Sequence, residues 1–181
     1  MDIVKSAELL AKSKHSGQTK KDGTTYSKHL DDVNNRLKSL GIIDKELLCA
    51  GWLHDTIEGT EITFDDIFEQ FGSEIAVLVS SLSKDMSLTR KKREKAYSIL
   101  LKESSTKAKI IKLCDISANL SDIKNWDTTK SQKLRKIKKQ RHYLNLIKDE
   151  LKDTEYPQII SLLETSNQIL KQFSQRPVSL K

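Results

Sequence analysis

Proline and glycine are scarce in this 181-residue chain, which has two of the first and six of the second. Folds built from many short strands need both at their turns, so a loop-rich sandwich and a collagen-like chain are excluded. Cysteine is limited to Cys49 and Cys114, far apart and without a C-x-x-C pair. Two small buried thiols in a reducing compartment are the expected reading, which points to the cytoplasm. No apolar run approaches the roughly 18 residues that a membrane span needs. The opening Met1-Asp2-Ile3-Val4-Lys5 lacks the charged-then-apolar layout of a secretory signal.

Charge is plentiful: 31% of residues are charged, and 32 Lys and Arg against 25 Asp and Glu leave a net +7. A pI near 9.3 favours anionic partners, whether nucleic acid, phosphorylated metabolites or an acidic surface. Mean hydropathy is −0.54, yet the 36% of hydrophobic residues recur in periodic blocks, as a folded core requires and a disordered chain lacks. The length fits one domain, expected over 1–174 with a frayed tail over 175–181.

The blocks have helical spacing. Ile3, Ala7, Leu10 and Ala11 mark a first helix that stops near Ser16-Gly17, and a polar loop follows from Thr19 to Thr25. His29, Leu30, Val33, Leu37 and Leu40 mark a second, with Gly41 as its C-terminal glycine. Leu47 to Leu53 is almost wholly apolar and must cross the core. Thr63 and Asp66 form a capping-box variant, and Pro157 opens a last helix. No segment alternates as a strand does, so the expected fold is a single all-α bundle of about eight or nine helices.

Two carboxylates sit where packing disfavours them. His54-Asp55 ends the most apolar helix, and Asp115 falls inside Ile110-Ile111-Lys112-Leu113-Cys114-Asp115-Ile116. Burying a carboxylate costs several kcal/mol unless it is paired or coordinated, and one cation shared between the two relieves both. His29 completes a set of two imidazoles and two carboxylates with His54, Asp55 and Asp115. Such a set suits Mn²⁺, Fe²⁺, Zn²⁺ or Mg²⁺, with the imidazoles weighing against a purely oxygen-seeking ion. Glu58, three residues after Asp55, falls on the same face of a continuing turn, where a carboxylate can orient or deprotonate a water.

These residues carry a resemblance. His15-Ser16-Gly17-Gln18, Lys20-Lys21-x-Gly23 and Tyr26-x-x-His29 are similar to the opening signature of the hydrolase domain in the RelA/SpoT family. Ala50-Gly51-Trp52-Leu53-His54-Asp55-Thr56-Ile57-Glu58 resembles its central motif, and Ile111-Lys112-Leu113-Cys114-Asp115 with Asn119-Leu120 its third. Within the HD superfamily of phosphohydrolases, the chain particularly resembles the free-standing small alarmone hydrolases of the metazoan SpoT-homologue type. It covers about residues 1–150, with three separated motifs in order.

The resemblance implies an HD-domain fold and Mn²⁺-dependent removal of the 3′-pyrophosphate from (p)ppGpp, giving GDP or GTP and pyrophosphate. It implies His29, His54, Asp55 and Asp115 as metal ligands and Glu58 as a catalytic carboxylate. Lys20, Lys21, Arg90, Asn119 and Arg135 would be the substrate contacts. The implied partner is a small purine nucleotide; no nucleic acid and no membrane is expected. The run from Lys133 to Arg141 reads as a solvated helix face, His142 as exposed, and His15 as a packing or loop-anchoring residue. No synthetase-like segment follows, so alarmone synthesis is not expected.

Three positions depart from the family pattern. Gly59 stands in place of Asp, Lys20 in place of Arg, and Ile116 in place of a basic residue. They keep two further readings open. One is an HD phosphohydrolase of another nucleotide, such as NADPH or an adenosine alarmone. The other is a catalytically weak nucleotide-binding sensor.

Overall fold

The computed structural model describes residues 2–151 and 154–179. Ten α-helical segments occur among the described residues: α1 (Ile3–Lys14), α2 (Tyr26–Ser39), α3 (Lys45–Leu53), α4 (Thr56–Gly59), α5 (Phe64–Phe71), α6 (Ser73–Leu82), α7 (Arg90–Glu103), α8 (Thr106–Asp122), α9 (Lys130–Leu151) and α10 (Gln158–Gln172). Nine have eight residues or more, and α4 is a single turn of four. The fold is therefore all-α, as the spacing predicts. Among the described residues, the β structure amounts to an isolated bridge between Thr19 and Thr25, which closes the α1–α2 loop.

Start signals in the sequence become caps. The Asp44 carboxylate accepts from the Leu47 amide to open α3, and Ser105 does the same from Ala108 for α8. At α5, Thr63 and Asp66 satisfy one another's backbone amides as a full capping box. Val178 is buried, and its amide and carbonyl both bond the Asn167 side chain. Residues 180–181 lie outside the described ones.

The centre of the bundle is α8, in which every residue from Ala108 to Leu120 is buried. It packs against α2, α3, α6, α9 and α10. A helix covered on all sides must satisfy its polar side chains internally. Lys109 does so on Glu150 at 2.5 Å and the Lys102 carbonyl at 2.8 Å, and Ser117 accepts from Arg36 Nε. Asp115 is satisfied at the functional site.

The α2–α3 contact has one strict requirement. A Cβ at Gly51 would stand 2.5 Å from Leu37 Cδ1 and 3.0 Å from Asn34 Oδ1. Gly51 thus sets how closely α3 approaches α2, and so the span from His29 to His54. Gly51→Ala is expected to cost about 1–3 kcal/mol by overpacking, read as a lowered midpoint in urea. A wild-type midpoint would mean that Leu37 and Asn34 yield freely.

Candidate metal centre and substrate cavity

Helix α2, the α3–α4 junction and helix α8 bring four ligand candidates to one point. Tyr26 and His29 are three residues apart on α2 and therefore share a face. His54 is the C-terminal cap of α3, and Asp55 the N-terminal cap of α4. Asp115 comes from the middle of α8. His29 Nε2 lies 3.3 Å from Asp115 Oδ1 and 3.7 Å from Asp55 Oδ2, and His54 Nε2 lies 3.1 Å and 3.9 Å from Asp55 Oδ2 and Asp115 Oδ1. One ligand atom each from His29, His54 and Asp55 falls within 4.8 Å of the others.

His54 shows how the donor set suits a divalent ion. Its Nδ1 is 2.8 Å from the Gly51 carbonyl, which fixes that nitrogen as the donor and leaves Nε2 as the lone pair. Nε2 is buried and has no hydrogen-bond partner, although Asp55 Oδ2 is 3.1 Å away. Groups this close without hydrogen-bond alignment are aimed at a third body. With the neighbouring carboxylates, this fits a divalent metal ion.

The surrounding groups orient the carboxylates. Asp115 receives Lys112 Nζ on Oδ2 at 2.8 Å and Asn119 Nδ2 on Oδ1 at 2.5 Å. Tyr26 donates its hydroxyl to Asp55 Oδ2 at 2.5 Å. Burial opposes ionisation of both aspartates. Lys112 nevertheless holds Asp115 well below the usual carboxylate range, and the two histidines do the same for Asp55. Burial and the facing Asp55 charge push the Tyr26 phenol far up, so it is a donor throughout the working range.

At His54, burial would depress the imidazolium, but the adjoining Asp55 charge outweighs it and raises the pKa to about 9. Proton and metal therefore compete for one lone pair. Below about pH 9, metal binding must release this proton, so affinity is expected to rise with pH by about tenfold per unit. Calorimetry at pH 7.5 in buffers of different ionisation enthalpy should show roughly one proton released per ion. No release would mean that His54 is already neutral.

A cavity of about 260 Å³ opens over this point. Its lining includes Lys20, Lys21, Lys84, Lys112, Lys136 and Lys139, together with Glu58 and Asn119. Most of these lysines have partners: Lys20 with Asp122 at 2.6 Å, Lys112 with Asp115, and Lys139 with Glu94 at 2.6 Å. Lys21 and Lys136 instead lie over the Trp126 ring at 5.6 and 5.8 Å. Burial pushes Lys136 down to about 8, and an anion in the cavity would restore its charge.

The anticipated substrate residues divide in three ways. Lys21 reaches the cavity. Lys20 and Asn119 line it, but the Lys20 ammonium is committed to Asp122 and the Asn119 amide nitrogen to Asp115. Arg90 and Arg135 line an adjoining groove of about 360 Å³, which shares Lys21, Trp126, Lys136 and Lys139 with the first. Glu58 faces the cavity from α4, held by the Lys84 amide at 3.2 Å and by Lys84 Nζ at 3.3 Å. Lys84 and Tyr26 are contributors that the sequence reading left without a role.

Comparison with known proteins gives this geometry a context. The HD domain family matches residues 7–146. A guanosine-3′,5′-bis(diphosphate) 3′-pyrophosphohydrolase, MESH1, of Danio rerio is 37% identical over 116 residues, covering 62% of this chain and 64% of that protein. Its Homo sapiens counterpart is 35% identical over 124 residues, with 67% and 69% covered. The guanosine-3′,5′-bis(diphosphate) 3′-pyrophosphohydrolase of Aquifex aeolicus is 30% identical over 97% of this chain, which spans 28% of that longer protein. The solved structure of a metazoan ortholog of SpoT, which hydrolyses ppGpp and plays a role in starvation responses, superposes with a TM-score of 0.80. It is 27% identical, over 95% of this chain and 96% of that one. With most of its length matched and its paired histidines and aspartates converging from α2, the α3–α4 junction and α8, the chain belongs to the HD domain family.

Proposed function

We propose that the protein is a metal-dependent (p)ppGpp 3′-pyrophosphohydrolase, releasing GDP or GTP and pyrophosphate. The observation that carries this reading is the convergence of His29, His54, Asp55 and Asp115 beneath a lysine-lined cavity. Imidazoles and carboxylates at its floor select a divalent cation, and ammonium groups on its walls select phosphate. The names of the relatives supply the guanosine bis(diphosphate) and the bond broken.

In this reading His29, His54, Asp55 and Asp115 would hold Mn²⁺, which when bound would supply positive charge beside the scissile phosphoryl group and the attacking water. The chain's own residues do the rest. Glu58 orients that water and takes its proton, with its carboxylate fixed by Lys84. Lys21 and Lys136 neutralise phosphate oxygens, and Trp126 holds both ammonium groups at the wall. Arg90 and Arg135 extend the positive surface along the adjoining groove. Helices α7 and α9 together carry 14 Lys and Arg against four acids, so the surface around the opening is positive while the rest of the chain is slightly acidic. That distribution favours capture of a highly anionic nucleotide. The buried free thiols of Cys49 and Cys114 agree with a cytoplasmic setting.

Incubation of the purified chain with Mn²⁺ and ppGpp, with products resolved by anion exchange, is expected to give GDP and pyrophosphate. Asp55→Ala run alongside should give neither. Absence of product from wild-type protein that holds its metal would overturn the substrate assignment.

A further inference from the structure

His15 is 1% exposed, yet it is neither among the converging ligands nor in the cavity lining. Its contacts lead from the end of α1 to both ends of α4. The imidazole stacks on the Tyr26 ring at 4.5 Å and 17°, and the Tyr26 hydroxyl donates to Asp55 at the start of α4. On its other side, His15 Nδ1 is 2.8 Å from Gln18 Oε1, and Gln18 Nε2 donates at 3.0 Å to the carbonyl of Gly59, the last residue of α4. The Gln18 carbonyl also accepts the Tyr26 amide at 3.0 Å, which ties the two arms together.

A four-residue helix needs such support. One turn fixes several dihedrals for very few hydrogen bonds, here Gly59 N–H to Asp55 and Thr60 N–H to Thr56. Asp55 does not cap the turn with its side chain. Gly59 makes the fit close: a Cβ there would stand 3.2 Å from His15 Cε1, so the imidazole rests directly against this residue.

We propose that His15 and Gln18 form a clamp that fixes the α4 turn and thereby places Glu58 relative to the metal ligands. His15 is a positioning residue, without contact to substrate or ion. The catalytic part of this inference rests on the hydrolase reading above, whereas the mechanical part does not. His15→Phe keeps the stack on Tyr26 and removes the bond to Gln18, while Gln18→Ala removes the hold on Gly59.

Hydrogen exchange, Mn²⁺ titration, thermal melting and ppGpp kinetics are measured on both variants of the 181-residue chain. Exchange at the Gly59 and Thr60 amides is expected to quicken about tenfold or more, because this turn opens locally without global unfolding. Mn²⁺ affinity should stay within about threefold and Tm within about 2 °C, while kcat falls about 10–100-fold at constant KM, the signature of a misplaced group. Gln18→Glu, which puts a carboxylate oxygen against the Gly59 carbonyl, should not rescue kcat. Unchanged exchange in both variants overturns the clamp. So does a parallel fall of Tm, metal affinity and kcat, which would make His15 a packing residue. Faster exchange in variants of a protein whose wild type leaves ppGpp intact supports the clamp and removes the hydrolase reading alone.

Discussion

Asp55→Ala is expected to abolish stoichiometric Mn²⁺ binding and lower ppGpp turnover by about a thousandfold or more, with the fold kept. The contrast with Asp115→Ala is what gives this expectation force. Asp55 is partly exposed at the cavity, and its neighbours are Tyr26 and the two histidines, each of which can remain neutral. Removing it strands no charge. Asp115 is fully enclosed and carries Lys112 on one oxygen and Asn119 on the other. Its loss leaves a buried ammonium unpaired, which costs about 3–5 kcal/mol. Both variants should thus lose metal, but Asp115→Ala should also show a much lower urea midpoint. Metal titration and denaturation on the same preparations separate the effects. Full metal occupancy in Asp55→Ala would remove Asp55 from the ligand set.

Much of this site is legible in the sequence because burial and polarity conflict there openly. A carboxylate within the largely apolar, fully buried span of α8 needs a partner wherever the helix packs, and a His-Asp pair at the end of α3 raises the same question. Lys112 is equally visible, one turn before Asp115 on the same face, once the helix is drawn. Helix boundaries are legible for a related reason, since the capping groups lie within three residues of what they cap.

What the sequence conceals depends on contacts between distant segments. Lys20 is 102 residues from Asp122, and nothing local shows that its charge is already taken. Lys84 sits in the loop after α6, without periodicity or motif, and meets Glu58 through the packing of that loop on α4. Arg90 and Arg135 lie close enough in sequence to other cavity residues to be grouped with them, but only the crossing of α7 and α9 decides that they line the adjoining groove. The Val178 contact with Asn167 is equally invisible, because the tail from Gln175 is too short and polar to show a helical period.

Glu58→Gln is expected to reduce kcat about 10²–10⁴-fold while leaving Mn²⁺ affinity unchanged, which is the size of effect a positioned proton acceptor supplies. The substitution suits the question because it preserves shape and hydrogen bonding. A glutamine oxygen still accepts from the Lys84 amide, and with it the junction between α4 and the loop after α6. What disappears is the negative charge and the capacity to accept a proton. Lys84 Nζ loses its ion partner but stays over the Tyr97 ring at 4.5 Å, so the cost in stability should be near 1 kcal/mol. Lys84→Met tests the same contact from the other side. It frees the carboxylate to swing while leaving its charge, so turnover should fall less than in Glu58→Gln, and the double variant should be no slower than Glu58→Gln alone. That non-additivity is the diagnostic, because two residues acting through one proton transfer cannot be removed twice. If instead the losses multiply, Lys84 acts on the phosphate directly, and the lysines of the cavity wall gain a third member alongside Lys21 and Lys136.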